Sequence, residues 1–244
     1  KEISLKNFRS FEKFSCRFTE GTNIIYGENA AGKTNILEGI FVFATAKSFR
    51  GGKESEMIRF GENSCESEIL FEDRYSENRL KLCFRRNKSK LLLRNSMPVS
   101  KISEYVGQFR AVIFTPDHLN LAKGSPEFRR RFIDMAICQS FPKYVSALNE
   151  YSRLCAQKNA LLKKNSPSFL KLLDVYNEKM AYHAGIISVN RQKYIKALSS
   201  QSKIFHEEIS SGNEELNLEY LTNVGCEEYT KEERQNDNKA EVLS

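Results

Sequence analysis

Apolar and polar positions change period along this chain, and the changes divide it. Ile3, Leu5 and Phe8 open an N-terminal strand. Phe14, Cys16 and Phe18 alternate with polar neighbours, the period of two that marks a half-buried strand. Gly21 then turns the chain into Thr22-Asn23-Ile24-Ile25-Tyr26, a short β-prone run. Beyond a glycine-containing loop, Ile36, Leu37, Ile40, Phe41 and Ala44 fall at helical spacing. Strand periodicity returns where Leu80, Leu82 and Phe84 alternate with Arg79, Lys81 and Arg85. Leu91-Leu92-Leu93 follows, with Asn95-Ser96 as its turn. Ala111-Val112-Ile113-Phe114 reads as a short buried strand.

From Pro126 the pattern is that of long helices. Ser125 is placed to cap and Pro126 to occupy the first helical position. Phe128, Phe132, Met135 and Ala136 form one stripe, which Phe141-Pro142 breaks. Tyr144, Val145, Leu148, Tyr151, Leu154 and Cys155 form the next, closed by Asn165-Ser166-Pro167. A third helical region is expected over 168–209, interrupted near Gly185 and the serines. Leu216, Leu218 and Tyr220 suggest a late strand, and the polar tail 227–241 reads as a solvated or disordered arm. The expected organisation is therefore mixed α/β over residues 1–124 and mostly helical over 125–244.

Composition adds limits. Hydrophobic residues make up 40% and charged residues 28% of the 244, enough for a core and typical of a water-soluble chain. No apolar stretch approaches the roughly 20 residues that span a bilayer, and residues 1–10 lack the apolar core of a signal peptide. The expected location is cytoplasmic, with no membrane partner. No two of Cys16, Cys65, Cys83, Cys138, Cys155 and Cys226 form a Cys-x-x-Cys pair, which argues for reduced core thiols. His118, His183 and His206 are too dispersed to suggest a metal site. The net charge of +7 permits an anionic partner without requiring one. Residues 79–101 carry Arg79, Lys81, Arg85, Arg86, Lys88, Lys90, Arg94 and Lys101 and no acid. That strip reads either as a nucleic-acid-facing surface or as a solvated hairpin with basic outer faces.

The chemistry concentrates in Gly27-Glu28-Asn29-Ala30-Ala31-Gly32-Lys33-Thr34, a full match to G-x-x-x-x-G-K-[ST]. Glycines let the backbone turn tightly and aim successive N–H groups at phosphate oxygens. Lys33 supplies positive charge for the β- and γ-phosphates of ATP, and the Thr34 hydroxyl a ligand for Mg²⁺. A helix beginning here directs its positive end at the same anion. A β-prone run before the loop and an amphipathic helix after it give the setting the motif requires. A P-loop hydrolase also needs an acid at the end of a buried strand. Asp117, after Pro116, is a poor candidate, and no Leu-Ser-Gly-Gly-like signature is present. The catalytic acids are thus expected to be absent from the chain.

The sequence resembles the RecF family of ABC-type ATPases over nearly its whole length. The resemblance rests on ordered blocks: Leu5-Lys6-Asn7-Phe8-Arg9-Ser10; Asn23-Ile24-Ile25-Tyr26 running into the phosphate loop; Ala44-Thr45-Ala46-Lys47-Ser48-Phe49-Arg50; and Phe114-Thr115-Pro116-Asp117-His118-Leu119. The most specific is Lys123-Gly124-Ser125-Pro126-Glu127-Phe128-Arg129-Arg130-Arg131-Phe132-Ile133-Asp134. The resemblance implies an ABC-type ATPase head, present as its first half, with an inserted helical arm. It also implies an ATP-dependent homodimer, binding to double-stranded and gapped DNA, cooperation with RecO and RecR in loading RecA, and a role in repair, replication and the SOS response to DNA damage. The chain ends before the signature and Walker B positions, so the resemblance further implies the N-terminal portion of a longer protein, with weak or no hydrolysis by itself. Asn7 and Arg9 become candidate nucleotide contacts. Lys47, Arg50, Arg129 and Arg130 become candidate DNA contacts, although Arg129, Arg130 and Arg131 at successive helix positions cannot share one face. Two alternatives stay open. One is a head fragment of another SMC- or Rad50-like ATPase, against which Pro142, Pro167 and Gly185 argue by interrupting any long heptad arm. The other is an inert interaction fragment.

Overall fold

The computed structural model describes residues 1–164 and 169–222. Within these, the chain divides into two units. One comprises Lys1–Ser125 with Cys138–Pro142; the other comprises Pro126–Ile137 and the described residues from Lys143 onward.

The first unit is built on an antiparallel sheet in the order β2-β1-β3-β4-β5-β6, with strands Glu2–Phe8 (β1), Phe11–Arg17 (β2), Ser64–Glu72 (β3), Glu77–Arg85 (β4), Lys88–Arg94 (β5) and Met97–Pro98 (β6). The apolar alternation places Ile3 and Leu5 inward, and the next inward position by period two would be Asn7. Instead Asn7 takes a left-handed backbone (φ 51°), which shifts the phase so that Phe8 is buried. The register to β2 is the same on either side of Asn7, from Lys6↔Lys13 to Phe8↔Phe11. Leu80, Leu82 and Phe84 of β4 are buried as their alternation predicts. Asn95 and Ser96 both adopt positive φ and form the two-residue turn into β6.

Helix α1 (Lys33–Thr45) packs on this sheet, with Leu5 of β1 against Gly39, where a Cβ would come within 2.8 Å of Leu5 Cδ2. Its buried face comprises Ile36, Glu38, Gly39, Phe41, Val42, Phe43, Ala44 and Thr45. The expected stripe is therefore rotated: Leu37 is exposed, and a carboxylate, Glu38, takes a core position. Ala46 ends the helix in a left-handed conformation. Two further short helices, α2 (Ile102–Tyr105) and α3 (Asn120–Lys123), complete the unit.

Two expected strands do not form. Residues 22–26 and 111–114 have no regular structure and belong to no sheet; Ile24, Tyr26, Val112 and Phe114 are exposed, Ile24 and Phe114 each at 81%, while Ile25 and Ile113 are half-buried. Strand propensity reports a side chain suited to a pleated surface, but a strand exists only where a neighbour takes its backbone hydrogen bonds. The segment leading to 22–26 is instead organised locally. Asn23 accepts from the Thr19 N–H and donates to the Thr19 carbonyl. Likewise the late strand suggested by Leu216, Leu218 and Tyr220 is irregular.

In the second unit, α4 (Pro126–Cys138) starts at the proline as expected, followed by α5 (Pro142–Lys164) and α6 (Phe169–Ser210). Gly185 and the serines do not interrupt α6, which runs through 42 residues. Gly185 is buried within it, so packing outweighs the roughly 1 kcal/mol a mid-helix glycine costs. Asp134 of α4 accepts from Tyr144 of α5 and from both Nε and Nη2 of Arg191 of α6, each at 2.8 Å, which joins the three helices through one carboxylate. The expected break at 165–167 and the tail 227–241 lie outside the described residues.

Candidate phosphate-binding site

Residues 27–32 form a loop, exposed from Gly27 to Ala31 and buried at Gly32, that rises into α1 at Lys33 and Thr34. Three of them have positive φ: Gly27 (150°), Ala30 (66°) and Gly32 (93°). Gly32 is the N-cap of α1, and no side chain caps the helix. No acid lies in its first turn, so nothing opposes the positive end of the helix dipole. The Asn35 N–H donates to the Gly32 carbonyl at 2.8 Å, which leaves the N–H groups of Lys33 and Thr34 as those without an acceptor inside the helix. Lys33 leans back over it, its Nζ donating to the carbonyls of Gly27 (2.8 Å) and Glu28 (2.7 Å). Thr34, one position on, is exposed at the helix start. This combination of uncapped N–H groups, a cationic Nζ and a hydroxyl fits a polyphosphate.

The β1–β2 turn lies against this helix start. Ser10 Oγ accepts from Asn35 Nδ2 at 2.9 Å, and the Phe11 ring faces Gly32 so closely that a Cβ there would stand 2.6 Å from Phe11 Cζ. Arg9, which shares the left-handed backbone of Asn7, sends its guanidinium to Glu38: Nε to Oε2 at 2.9 Å and Nη2 to Oε1 at 2.6 Å. Its remaining terminal nitrogen donates to the Glu56 carbonyl. Glu38 is wholly buried. It also accepts from the Ser48 hydroxyl, and Arg50 Nε approaches it at 3.6 Å. Arg50 Nη2 in turn donates to Asn35 Oδ1 at 3.1 Å. A buried carboxylate is tolerable because it is met by a bidentate guanidinium and a hydroxyl.

Of the candidates from sequence, residues 27–34 come together as one site, with Arg9 and Arg50 joined beside it through Glu38. Asn7 instead donates to Glu62 at 3.1 Å. Lys47 is exposed in the loop after α1. Arg129 and Arg130 are exposed on α4, in the second unit. Asp117 sits exposed in a single 3-10 turn, Pro116–Leu119. Sequence reasoning missed Glu38, Asn35, Ser10 and Ser48. The available signal was an acid at a core position of α1, between Ile36 and Gly39.

The basic strip 79–101 is largely engaged with neighbouring groups. Lys81 pairs with Glu66 at 2.8 Å and Arg79 with Glu68 at 3.8 Å across the β3–β4 ladder. Lys90 donates to the Ala46 carbonyl and to Glu54. Burial pushes the Lys90 ammonium below its ordinary range, against the pull of Glu54. Arg85 and Arg86 donate to the carbonyls of Ser89 and Glu62. These contacts favour the solvated hairpin.

Among the described residues, no group of three or more His, Cys, Asp or Glu is placed to hold a metal ion, and no helix is long and apolar enough to cross a membrane. Residues 2–242 match the AAA-domain family model. The chain is 38% identical over 226 residues to the DNA replication and repair protein RecF of Agathobacter rectalis, covering 92% of this chain and 62% of that protein. It is 38% identical over 230 residues to RecF of Bacillus cereus, covering 93% and 61%. The chain thus spans about three fifths of the length of these curated relatives. Among solved structures, the recombination mediator protein RecF with ATP superposes with a TM-score of 0.83 at 33% identity, covering 92% of this chain and 61% of that one. A second RecF structure, described with ATPrS, also gives 0.83, at 32% identity, covering 100% and 67%. The chain belongs to the AAA-domain family, has the P-loop ATPase-head fold, and finds its relatives there among the RecF proteins.

Proposed function

We propose that this chain is the nucleotide-binding lobe of a RecF-like ATPase, which uses ATP with Mg²⁺ to control binding to double-stranded DNA near gaps during recombinational repair and replication. The observation that carries the reading is the convergence of the Lys33 ammonium and the uncapped start of α1 on one exposed loop. That arrangement selects a polyphosphate over a neutral ligand. The loop N–H groups bind its oxygens. Lys33 would exchange the carbonyls of Gly27 and Glu28 for the β- and γ-phosphates, and Thr34 Oγ1 would be a metal ligand. Mg²⁺ held there would supply neutralisation of phosphate charge.

The two unpaired segments 22–26 and 111–114 are strands awaiting neighbours within the complete head. Residues 1–124 then serve as the first part of that head and 125–244 as its arm. In such heads ATP joins two subunits, so nucleotide and dimer formation favour one another. Lys47, Arg50, Arg129 and Arg130 are the proposed DNA contacts, and RecO, RecR and RecA loading follow from the same reading, as does a cytoplasmic location. Phosphate contacts imply little sequence preference and steep salt dependence.

Fluorescence anisotropy with gapped and blunt duplexes, with and without Mg·ATP, tests the reading. Expected are binding that ATP strengthens and salt weakens, and weaker binding by a Lys47→Ala, Arg130→Ala variant. Binding that is absent, or equal in all conditions, would contradict it.

A further inference from the structure

The β1–β2 turn meets the phosphate-loop helix in a regular way. The turn residues Arg9 and Ser10 and the first residue of β2, Phe11, contact Glu38, Asn35 and Gly32, respectively. Those three positions are spaced by three and lie along one face of α1, from its N-cap into its second turn. Each contact is of a different kind: an ion pair at Glu38, a hydrogen bond at Asn35, ring packing at Gly32. Each is also held from a second side. Glu38 accepts from Ser48, Asn35 accepts from Arg50, and Phe11 packs at 4.8 Å between centroids on Phe14 of β2.

We propose that Arg9, Ser10 and Phe11 form a splint that positions the phosphate loop and thereby sets ATP affinity. The proposal rests on the nucleotide reading above. Phosphate binding by backbone N–H groups demands a loop held close to its bound geometry, because any ordering left to the moment of binding reduces affinity. The loop supplies little of that rigidity itself. It is exposed from Gly27 to Ala31, three of its residues have positive φ, and its helix has no side-chain cap. The guanidinium of Arg9, which reaches α1 at Glu38, is a candidate for phosphate. Yet both its Nε and Nη2 are engaged by the buried Glu38, and Nη1 by the Glu56 carbonyl. Its work is therefore to fix α1, with Glu38 carrying the restraint on to Ser48 and Arg50. Phe11 prevents the N-cap from moving toward the sheet, and Ser10 fixes the rotation of the first turn through Asn35, the neighbour of Thr34.

The test is Mg·ATP calorimetry on the chain and on Lys33→Ala, Ser10→Ala, Ser10→Thr and Phe11→Ala, each with a thermal melt. Ser10 is exposed, so its loss does not threaten folding. Expected are a rise in Kd of about fivefold for Ser10→Ala, the value of one hydrogen bond, and on the order of tenfold for Phe11→Ala. Ser10→Thr, which keeps the hydroxyl, binds as the parent does, and the melting midpoint of Ser10→Ala is unchanged. The splint is overturned if Ser10→Ala and Phe11→Ala bind ATP as the parent does while Lys33→Ala does not, or if affinity falls only in step with the melting midpoint. Absence of ATP binding by the folded parent chain overturns the nucleotide reading itself, and the splint with it.

Discussion

Lys33 Nζ donates to the carbonyl oxygen of Gly27 at 2.8 Å, across the phosphate loop on which both residues lie. The ammonium is thus already directed into the loop. A carbonyl, with only a partial negative charge, is readily exchanged for a phosphate oxygen. Because the contact is exposed, it contributes little to folding. Lys33→Ala is expected to keep its melting midpoint within about 2 °C of the parent's, whereas Lys33→Arg does not restore nucleotide binding, since a planar guanidinium cannot occupy a point-charge position. Thermal melts and ATP titrations of both variants check this.

Gly32 carries two constraints at once. Its φ of 93° is unfavourable for any residue with a Cβ, and that Cβ would press on Phe11. Gly32→Ala should destabilise the first unit by about 2–4 kcal/mol, combining backbone strain with overpacking. Adding Phe11→Ala should relieve the packing part alone. A urea double-mutant cycle separates the two, and strict additivity would contradict the close approach.

The Arg9–Glu38 pair predicts an asymmetry in stability. Glu38 is 0% and Arg9 18% exposed at the side chain. Glu38→Ala leaves the Arg9 guanidinium without its buried anion and should cost about 3–5 kcal/mol. Arg9→Met with Glu38→Leu removes both charges and should cost less than Glu38→Ala alone. Chemical unfolding of the parent and the two variants measures it.

Burial should also make the first unit sensitive to alkali. Burial pushes the Cys65 thiol from its ordinary 9.0 up to about 12, and it pushes the Tyr105 hydroxyl upward as well. In both, the folded state holds its proton more tightly than the unfolded state. Their stabilising contribution is therefore intact below the unfolded pKa, and for Cys65 it is lost as pH rises from about 9 toward about 12. Urea midpoints should fall over this range, less steeply in Cys65→Val. The same burial predicts that Cys65 resists alkylation until the protein unfolds.

Much of the architecture was legible because its causes are local. The phosphate loop is contiguous in sequence. The alternation of Leu80, Leu82 and Phe84 reports a sheet face, and Pro126 marks a helix start. What was not legible depends on distant partners. Residues 22–26 and 111–114 have strand composition, yet whether they pair is decided by chain elsewhere, and Tyr26 stands 88% exposed. Glu38 looks like a surface residue until Arg9, 29 positions away, turns out to be its counter-ion. The unbroken α6 shows propensity yielding to packing around Gly185. Arg9 was a candidate phosphate ligand by its place in a block, but only the folded geometry reveals its pairing with Glu38.

The most direct test of the central claim is the heat of Mg·ATP binding to this chain, with Lys33→Ala as the control and circular dichroism to establish that both are folded. The account predicts saturable binding by the parent chain that is lost in Lys33→Ala. Equal heats from both, or no binding by the folded parent, would contradict assignment of the Gly27, Gly32, Lys33 and Thr34 loop as the phosphate site.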